Sequence, residues 1–183
     1  MASIAKSVIL MVIMVTTFTF VASSISTIRQ VCKSTLDQNF CLASLTGYPG
    51  ALNANISQLA VITANISYNE SINVEQFILG LNGSEGQKNG SVSSVPLKEC
   101  VVFYEEAVSD LLNSLSVLRN PMGEDPGLVN GLQSGALTFV GMCNDEVKKL
   151  ASQLAPLVEA RSRNLGKMID NALGASNVLY GLD

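Results

Sequence analysis

Residues 100–118 read CVVFYEEAVSDLLNSLSVL, the most regular stretch of the chain. Its apolar side chains recur in steps of three and four, which places them on one side of an α-helix. The members of this stripe are Val101, Tyr104, Val108, Leu111, Leu115 and Leu118. Residues 119–127, RNPMGEDPG, combine prolines and glycines, and they predict the end of the helix.

Three other stretches repeat this pattern, and none alternates with the period of two that a half-buried strand requires. The first runs from Ala51 to Leu81, with Leu52, Ile56, Leu59, Ala60, Ile62, Ile66, Ile72, Phe77 and Ile78. The second is Leu128, Leu132, Ala136, Phe139, Cys143, Val147 and Leu150, and the last is Leu157, Leu165, Met168, Ala172 and Leu179. The sequence therefore predicts an all-α fold, an up-down-up-down four-helix bundle.

Four cysteines constrain how the helices are joined. Cys32 and Cys41 lie nine residues apart in two short helical segments, and a disulfide between them would close a helical hairpin over residues 25–50. Cys100 and Cys143 lie about equally far from the turn near residue 123, so antiparallel helices bring them to one height. Of the three possible pairings, the helices thus favour 32–41 with 100–143, and for Cys32 and Cys41 the alternative is two separately buried free thiols.

The beginning of the chain predicts export. Lys6 precedes a run of thirteen mostly apolar residues and a small-residue patch, so residues 1–24 are expected to be a cleaved signal peptide rather than an uncleaved anchor. Residues 25–183 would then be the mature domain, with the hairpin followed by a bundle over 51–183. Five Asn-x-Ser sequons agree with a secretory glycoprotein, and they begin at Asn55, Asn65, Asn69, Asn82 and Asn89.

Composition excludes several classes of function. The mature chain would carry 10 basic and 15 acidic side chains, and this balance argues against a nucleic-acid partner. Histidine, the commonest general base and metal ligand, is absent, and no phosphate-binding loop, Cys-x-x-Cys motif or nucleophile elbow is present. The pairs Glu105/Glu106 and Asp145/Glu146 are adjacent in sequence, so on helices they diverge instead of forming an acid/base dyad. We expect no enzyme, no cofactor and no metal site.

Several segments resemble the plant invertase and pectin methylesterase inhibitors, and together they cover nearly all of the mature chain. The matching segments are residues 31–35 with 40–45, 97–100 with 104–108, 134–138 with 143–145, and 170–173. The resemblance implies a helical hairpin packed on a four-helix bundle. It also implies a secreted monomer, without catalytic activity, that blocks a carbohydrate-acting enzyme in a 1:1 complex in the cell wall or apoplast.

The resemblance also implies two branches of target. One branch covers the substrate cleft of pectin methylesterase, and acidic positions of that branch match Glu106 and Asp145, while Met142 stands where the branch has threonine. The other branch binds cell-wall or vacuolar invertase through a Pro-Lys-Phe motif, which here reads Pro126-Gly127-Leu128. Pectin methylesterase is therefore favoured over invertase. The candidate interface residues are Glu106, Asp110, Met142, Asp145 and Pro126.

Two further functions suit a secreted bundle with two disulfides. A helical ligand for a receptor would have the same architecture. A small lipid carrier would need a cavity between the helices, whereas packing of an ordinary core explains the apolar stripes without one.

Overall fold

A computed structural model describes residues 25–86, 94–120, 125–149 and 154–182. The expected signal peptide, residues 1–24, lies outside this part of the chain. All regular structure in the described ranges is helical, as predicted, and none of these helices is both long and apolar enough to span a membrane. The helices are α1 (residues 25–33), α2 (Gln38–Thr46), a 3₁₀ turn (Ala51–Asn53), α3 (Ile56–Gly86), α4 (Ser94–Arg119), α5 (Pro126–Val147) and α6 (Leu154–Tyr180).

The four long helices form a closed square in which each packs against two neighbours. α3 contacts α4 and α6, and α5 also contacts α4 and α6, so α3 and α5 are diagonal to each other. The disulfide between Cys100 and Cys143 joins α4 to α5, with the two Cα atoms 4.5 Å apart. The predicted bundle and both predicted disulfides are confirmed.

The start of α3 differs from the expectation of a helix beginning at Ala51. Residues 51–53 form a 3₁₀ turn, and Asn55 then caps the longer helix. The Asn55 side chain accepts a hydrogen bond from the Gln58 amide, and the Gln58 side chain accepts one from the Asn55 amide, both at 2.9 Å. This reciprocal capping satisfies two amides of the first turn and fixes where the helix begins.

The hairpin of α1 and α2 is held by the Cys32–Cys41 disulfide, with Cα atoms 5.5 Å apart, and its loop rests on α6. The Leu36 amide donates to Asp170 Oδ2 at 2.7 Å. One turn away, Gly174 leaves room for the loop, because a Cβ there would lie 2.9 Å from the backbone oxygen of Ser34. The hairpin is therefore docked by specific contacts as well as by apolar burial.

The core consists of two apolar clusters, one beneath the hairpin and one around the Cys100–Cys143 disulfide. On three of the helices, fully buried polar side chains separate the residues of one cluster from those of the other along the sequence. They are Ser67 and Ser71 on α3, Ser114 on α4 and Gln133 on α5. The three serines donate to carbonyls of their own helices, whereas neither polar atom of the Gln133 amide has a hydrogen-bond partner within the described ranges.

Three predicted stripes are wrong by one position at their beginnings. Leu52, expected inside, is 38% exposed, and Ala51 is buried instead. Leu128 was expected inside, but it is 43% exposed and Val129 is buried instead. The same shift exposes Leu157 and buries Val158. The buried side of α5 follows steps of three and four back from Cys143, through Val140, Ala136, Gln133 and Val129. Leu132 and Phe139 are consequently only half-buried, and Leu150 lies outside the described residues.

A buried tyrosine can place its hydroxyl at the rim of a core, but Tyr104 is buried completely. The hydroxyl instead shares a 2.8 Å hydrogen bond with the Ser162 hydroxyl on α6. Burial raises the pKa of Tyr104 to about 12, so the side chain stays neutral. The pair links the diagonal helices α4 and α6 through the interior.

Candidate functional site

The outer sides of α4 and α5 form one continuous surface, which we call the α4–α5 face. It comprises the solvent-facing residues of α5 and the residues of α4 that border them. Glu106 and Asp110 lie on α4, and Met142 and Asp145 on α5. Pro126 is the first residue of α5, so the structure puts all five predicted interface residues on two helices that are joined by a disulfide.

Asp110 lies over Gly135 at the seam between the two helices. A Cβ built on Gly135 would come within 2.6 Å of Asp110 Oδ2, so the carboxylate occupies the space that a larger residue would fill. Partial burial raises the pKa of Asp110, and the negative charge of Glu106 raises it further. Glu106 itself is exposed. The two carboxylates therefore place a concentrated negative charge beside the exposed side of α5.

The exposed side of α5 carries small, uncharged residues between two apolar side chains. Leu128 lies near its beginning, and Met142, which is 41% exposed, lies near its end. Between or beside them are Gly127, Gly131, Ser134, Thr138 and Gly141, all exposed. Small side chains let another surface approach a helix backbone closely, and the exposed Met142 offers an adaptable apolar contact.

Charges cluster at the disulfide end of this face. Lys148 donates to Asp145 Oδ1 at 2.8 Å, and this bond lowers the pKa of Asp145. Lys149 pairs in the same way with Glu146. Glu146 of α5 also shares a hydrogen bond with Glu99 of α4, and this bond raises the pKa of Glu99. Asp145 therefore has a cationic neighbour, whereas the charged group that acts on Asp110 is the carboxylate of Glu106.

Pro126 lies apart from the other predicted interface residues. It occupies the first turn of α5, where Asp125 caps the helix by accepting from the Gly127 amide at 2.9 Å. Met142 follows sixteen residues later, which corresponds to about 24 Å along the helix. Pro126 and Met142 therefore lie toward opposite ends of the α4–α5 face, and Asp110 lies between them, over Gly135.

The described sequons lie away from this face. Asn55 precedes α3, and Asn65 and Asn69 lie within it, on the helix that is diagonal to α5. The side chain of Asn82 and the whole of Asn89 lie outside the described residues. Glycans at the described positions would therefore leave the exposed side of α5 open.

Two features of the site were missed in the sequence. The contact between Asp110 and Gly135 could have been found, because they lie ten residues after Cys100 and eight before Cys143 on antiparallel helices. The Glu99–Glu146 pair follows the same register on the other side of the disulfide. Within the described ranges no group of three or more cysteine or acidic residues could hold a metal ion.

Comparisons with known proteins agree with this architecture. A family model described as plant invertase/pectin methylesterase inhibitor matches residues 26–174. A crystal structure of mutant form A of a pectin methylesterase inhibitor from Arabidopsis is similar, with 26% identity and a TM-score of 0.66, covering 84% of this chain and 95% of the other. A pectin methylesterase inhibitor from Arabidopsis thaliana gives 25% identity and a TM-score of 0.59, covering 84% and 96%. No curated protein is significantly similar in sequence.

Proposed function

Because this chain belongs to the plant invertase/pectin methylesterase inhibitor family, we propose that it binds pectin methylesterase and covers the substrate cleft of that enzyme. Both similar solved structures are described as pectin methylesterase inhibitors, which supports this target over invertase. Nothing in the comparisons favours a receptor ligand. The protein itself would act by binding, without catalysing a reaction.

One observation carries the proposal: the exposed side of α5 is long, carries no charged residue from Gly127 to Gly141, and contains no sequon. α5 runs over 22 residues, or about 33 Å, which is enough to lie along an extended polysaccharide-binding cleft. Its small residues would allow the helix to enter a narrow groove. Met142 and Leu128 would provide apolar contacts at the two ends.

Electrostatics would orient the inhibitor on its target. Glu106 and Asp110 lie without a described basic partner at one edge of the face, and they suit a basic or polar rim around an enzyme cleft. Screening by salt would reduce this attraction. Rigidity from the Cys100–Cys143 disulfide would reduce the conformational entropy lost when the complex forms.

Secretion belongs to the same proposal. Members of this plant family act outside the cell, and the expected signal peptide, the disulfides and the sequons all suit an oxidising compartment. The protein would act as a monomer in a 1:1 complex in the cell wall or apoplast.

The test is a titration of purified pectin methylesterase with the oxidised, secreted protein, run in parallel with a titration of invertase. The expected result is a linear loss of pectin methylesterase activity that reaches its end at one equivalent, with invertase unchanged. Inhibition of invertase alone would move the target to the other branch of the family. Loss of neither activity would overturn the proposal.

A pair of variants tests the face. Thr138→Arg introduces a large charged side chain at the centre of the exposed side of α5, and it should weaken inhibition at least about tenfold by steric exclusion. Gln76→Arg adds the same side chain at an exposed position of α3 and should inhibit like the parent protein. Equal inhibition by both variants would place the contact surface elsewhere.

A further inference from the structure

A groove separates α3 from α2 and α6 on the side of the bundle away from the α4–α5 face. Its volume is about 380 Å³. The apolar residues that line it are Tyr48, Ile66 and Met168, and the polar ones are Ser44, Asn65, Asn69, Glu70 and Asn73. We call this the α2–α3–α6 groove. It combines apolar surface with hydroxyl, amide and carboxylate groups that can hydrogen bond to a sugar.

Asn69 is both a wall of this groove and the first residue of the sequon Asn69-Glu70-Ser71. Its side chain is exposed, and Nδ2 donates to the backbone oxygen of Asn65 at 2.8 Å. An N-glycosylated asparagine keeps one N–H, so this hydrogen bond can persist when the second N–H is replaced by a sugar. The existing bond would then fix the direction in which the sugar leaves the helix.

We propose that Asn69 carries an N-linked glycan whose first N-acetylglucosamine rests in the α2–α3–α6 groove. Transfer from a lipid-linked oligosaccharide diphosphate breaks the bond from sugar C1 to the phosphate oxygen and forms a bond from C1 to Nδ2. Nδ2 loses one proton, and the lipid diphosphate leaves. The C–H faces of the sugar would pack on Tyr48, Ile66 and Met168, and its hydroxyl and acetamido groups would face the polar rim.

The burial of Ser71 determines when the glycan is added. Ser71 completes the sequon, yet its side chain is fully buried and donates to the Tyr68 carbonyl at 2.7 Å. A transferase cannot reach this hydroxyl after α3 has packed. The sugar is therefore attached to the unfolded chain during export, and the groove forms around it as the bundle folds.

Asn65 is placed differently, although it also borders the groove. Its Oδ1 accepts from Arg119 Nη2 on α4 at 3.3 Å, so its amide is turned toward the other neighbour of α3. Asn55 precedes α3, does not line the groove, and uses its Oδ1 as a helix cap. Asn69 is thus the described sequon whose environment suits a sugar that packs on the protein.

The test is glycopeptide mapping of the full chain from a eukaryotic secretory host, followed by oxidation with hydrogen peroxide. Met168 lines the groove and reports its coverage, while Met142, on α5, which is diagonal to α3, serves as the internal standard. With the glycan present, the ratio of Met168 to Met142 oxidation rates should be about threefold or more below that of Asn69→Gln, because oxidation follows exposure. Asn55→Asp, which removes another sequon but retains a capping oxygen, should leave the ratio unchanged.

A second measurement covers the case in which Asn69→Gln does not fold. An endoglycosidase that leaves a single N-acetylglucosamine on Asn69 should preserve the low Met168 ratio, since the first sugar is the one in the groove. Absence of sugar on Asn69 would overturn the proposal. So would a glycan there that leaves the oxidation ratio the same as in the unglycosylated protein, or protection that is lost on trimming.

Discussion

The Asp110 carboxylate occupies the space above Gly135, so that a Cβ on Gly135 would lie 2.6 Å from Asp110 Oδ2. The neighbour is the end of a side chain, which can rotate away. Gly135→Ala should therefore fold normally and gain up to about 0.5–1 kcal/mol, because alanine is favoured over glycine in a helix interior. It should nevertheless weaken inhibition of pectin methylesterase, since Asp110 must leave its position. Urea denaturation and inhibitor titration measure the two effects separately.

Gly80→Ala is the matched control for this change. Gly80 also lies inside a helix, but on α3, and a Cβ there meets nothing within 4 Å. The gain in stability should be similar, with inhibition unaffected. If Gly135→Ala inhibits as strongly as Gly80→Ala, the position of Asp110 does not matter for binding.

The charge of Asp110 should also make stability depend on pH. Burial and Glu106 raise the pKa of Asp110 above its ordinary value of 3.8, so between these two pKa values the folded state binds more protons than the unfolded state. Its contribution to stability is thus present at low pH and lost as pH rises through that window. Asp110→Asn should be more stable than the parent at pH 7, by less than about 1 kcal/mol because the group is largely solvated. The difference should vanish near pH 3, and thermal denaturation across pH 3–7 would show it.

The docking of the hairpin depends on Gly174. A Cβ at this position would lie 2.6 Å from Thr35 Cγ2 and 2.9 Å from the Ser34 carbonyl oxygen, and the backbone cannot move aside as a side chain can. Gly174→Ala should therefore destabilise the protein by about 1–3 kcal/mol through overpacking. Gly166→Ala on the same helix is the control, because its nearest neighbour, Leu137 Cδ1, lies at an ordinary 3.6 Å. Equal unfolding midpoints for the two variants would contradict the tight contact.

Much of the fold followed from periodicity and cysteine spacing. Four apolar stripes predicted four helices, and equal distances from one turn predicted the Cys100–Cys143 bond. The prediction of the buried side was wrong at the beginning of α5 because Leu128 and Val129 are both apolar. Hydrophobicity alone therefore cannot choose between the two registers. Cys143 decides it, since steps of three and four from that residue reach Val129.

The site was predictable in part. Glu106, Asp110, Met142 and Asp145 fall on the expected helices, and the pairing of Lys148 with Asp145 was missed although their i,i+3 spacing indicates it. The contact between Leu36 and Asp170 spans 134 residues and exists only because the hairpin docks on α6. Local patterns do not contain such contacts.

Asp37 joins two stabilising roles, and the two can be separated by substitution. Its Oδ1 caps α2 by accepting from the Phe40 amide at 3.0 Å, and its Oδ2 accepts from Lys167 Nζ at 2.8 Å. The hydrogen bond from Lys167 lowers the pKa of Asp37, followed in effect by the bond from Phe40. Since the folded pKa lies below the unfolded value, this stabilisation is present above pH 3.8 and is lost as pH falls through the folded pKa.

Asp37→Asn keeps a capping oxygen and removes the charge, so it should weaken the dependence of the unfolding midpoint on pH below about pH 4. Asp37→Ala removes both roles and should be less stable than Asp37→Asn at pH 7. A scan of urea midpoints from pH 7 to pH 2.5 compares them. If the urea midpoint of Asp37→Asn falls as steeply below pH 4 as that of the parent protein, other carboxylates govern acid unfolding.

Gln133 is the clearest site for stabilising the bundle. Its side chain is fully buried on α5 and lies between Val129 of one apolar cluster and Ala136 of the other, while neither Nε2 nor Oε1 has a hydrogen-bond partner among the described residues. An amide that loses its water contacts on folding without replacing them costs about 1–3 kcal/mol. Gln133→Met has a similar length and an apolar, flexible end, so it should raise the free energy of unfolding by roughly that amount. Gln133→Ala, which also removes the amide but leaves a cavity, should gain less or lose stability. Equal destabilisation by both substitutions would mean that the amide is solvated or bonded inside the folded protein.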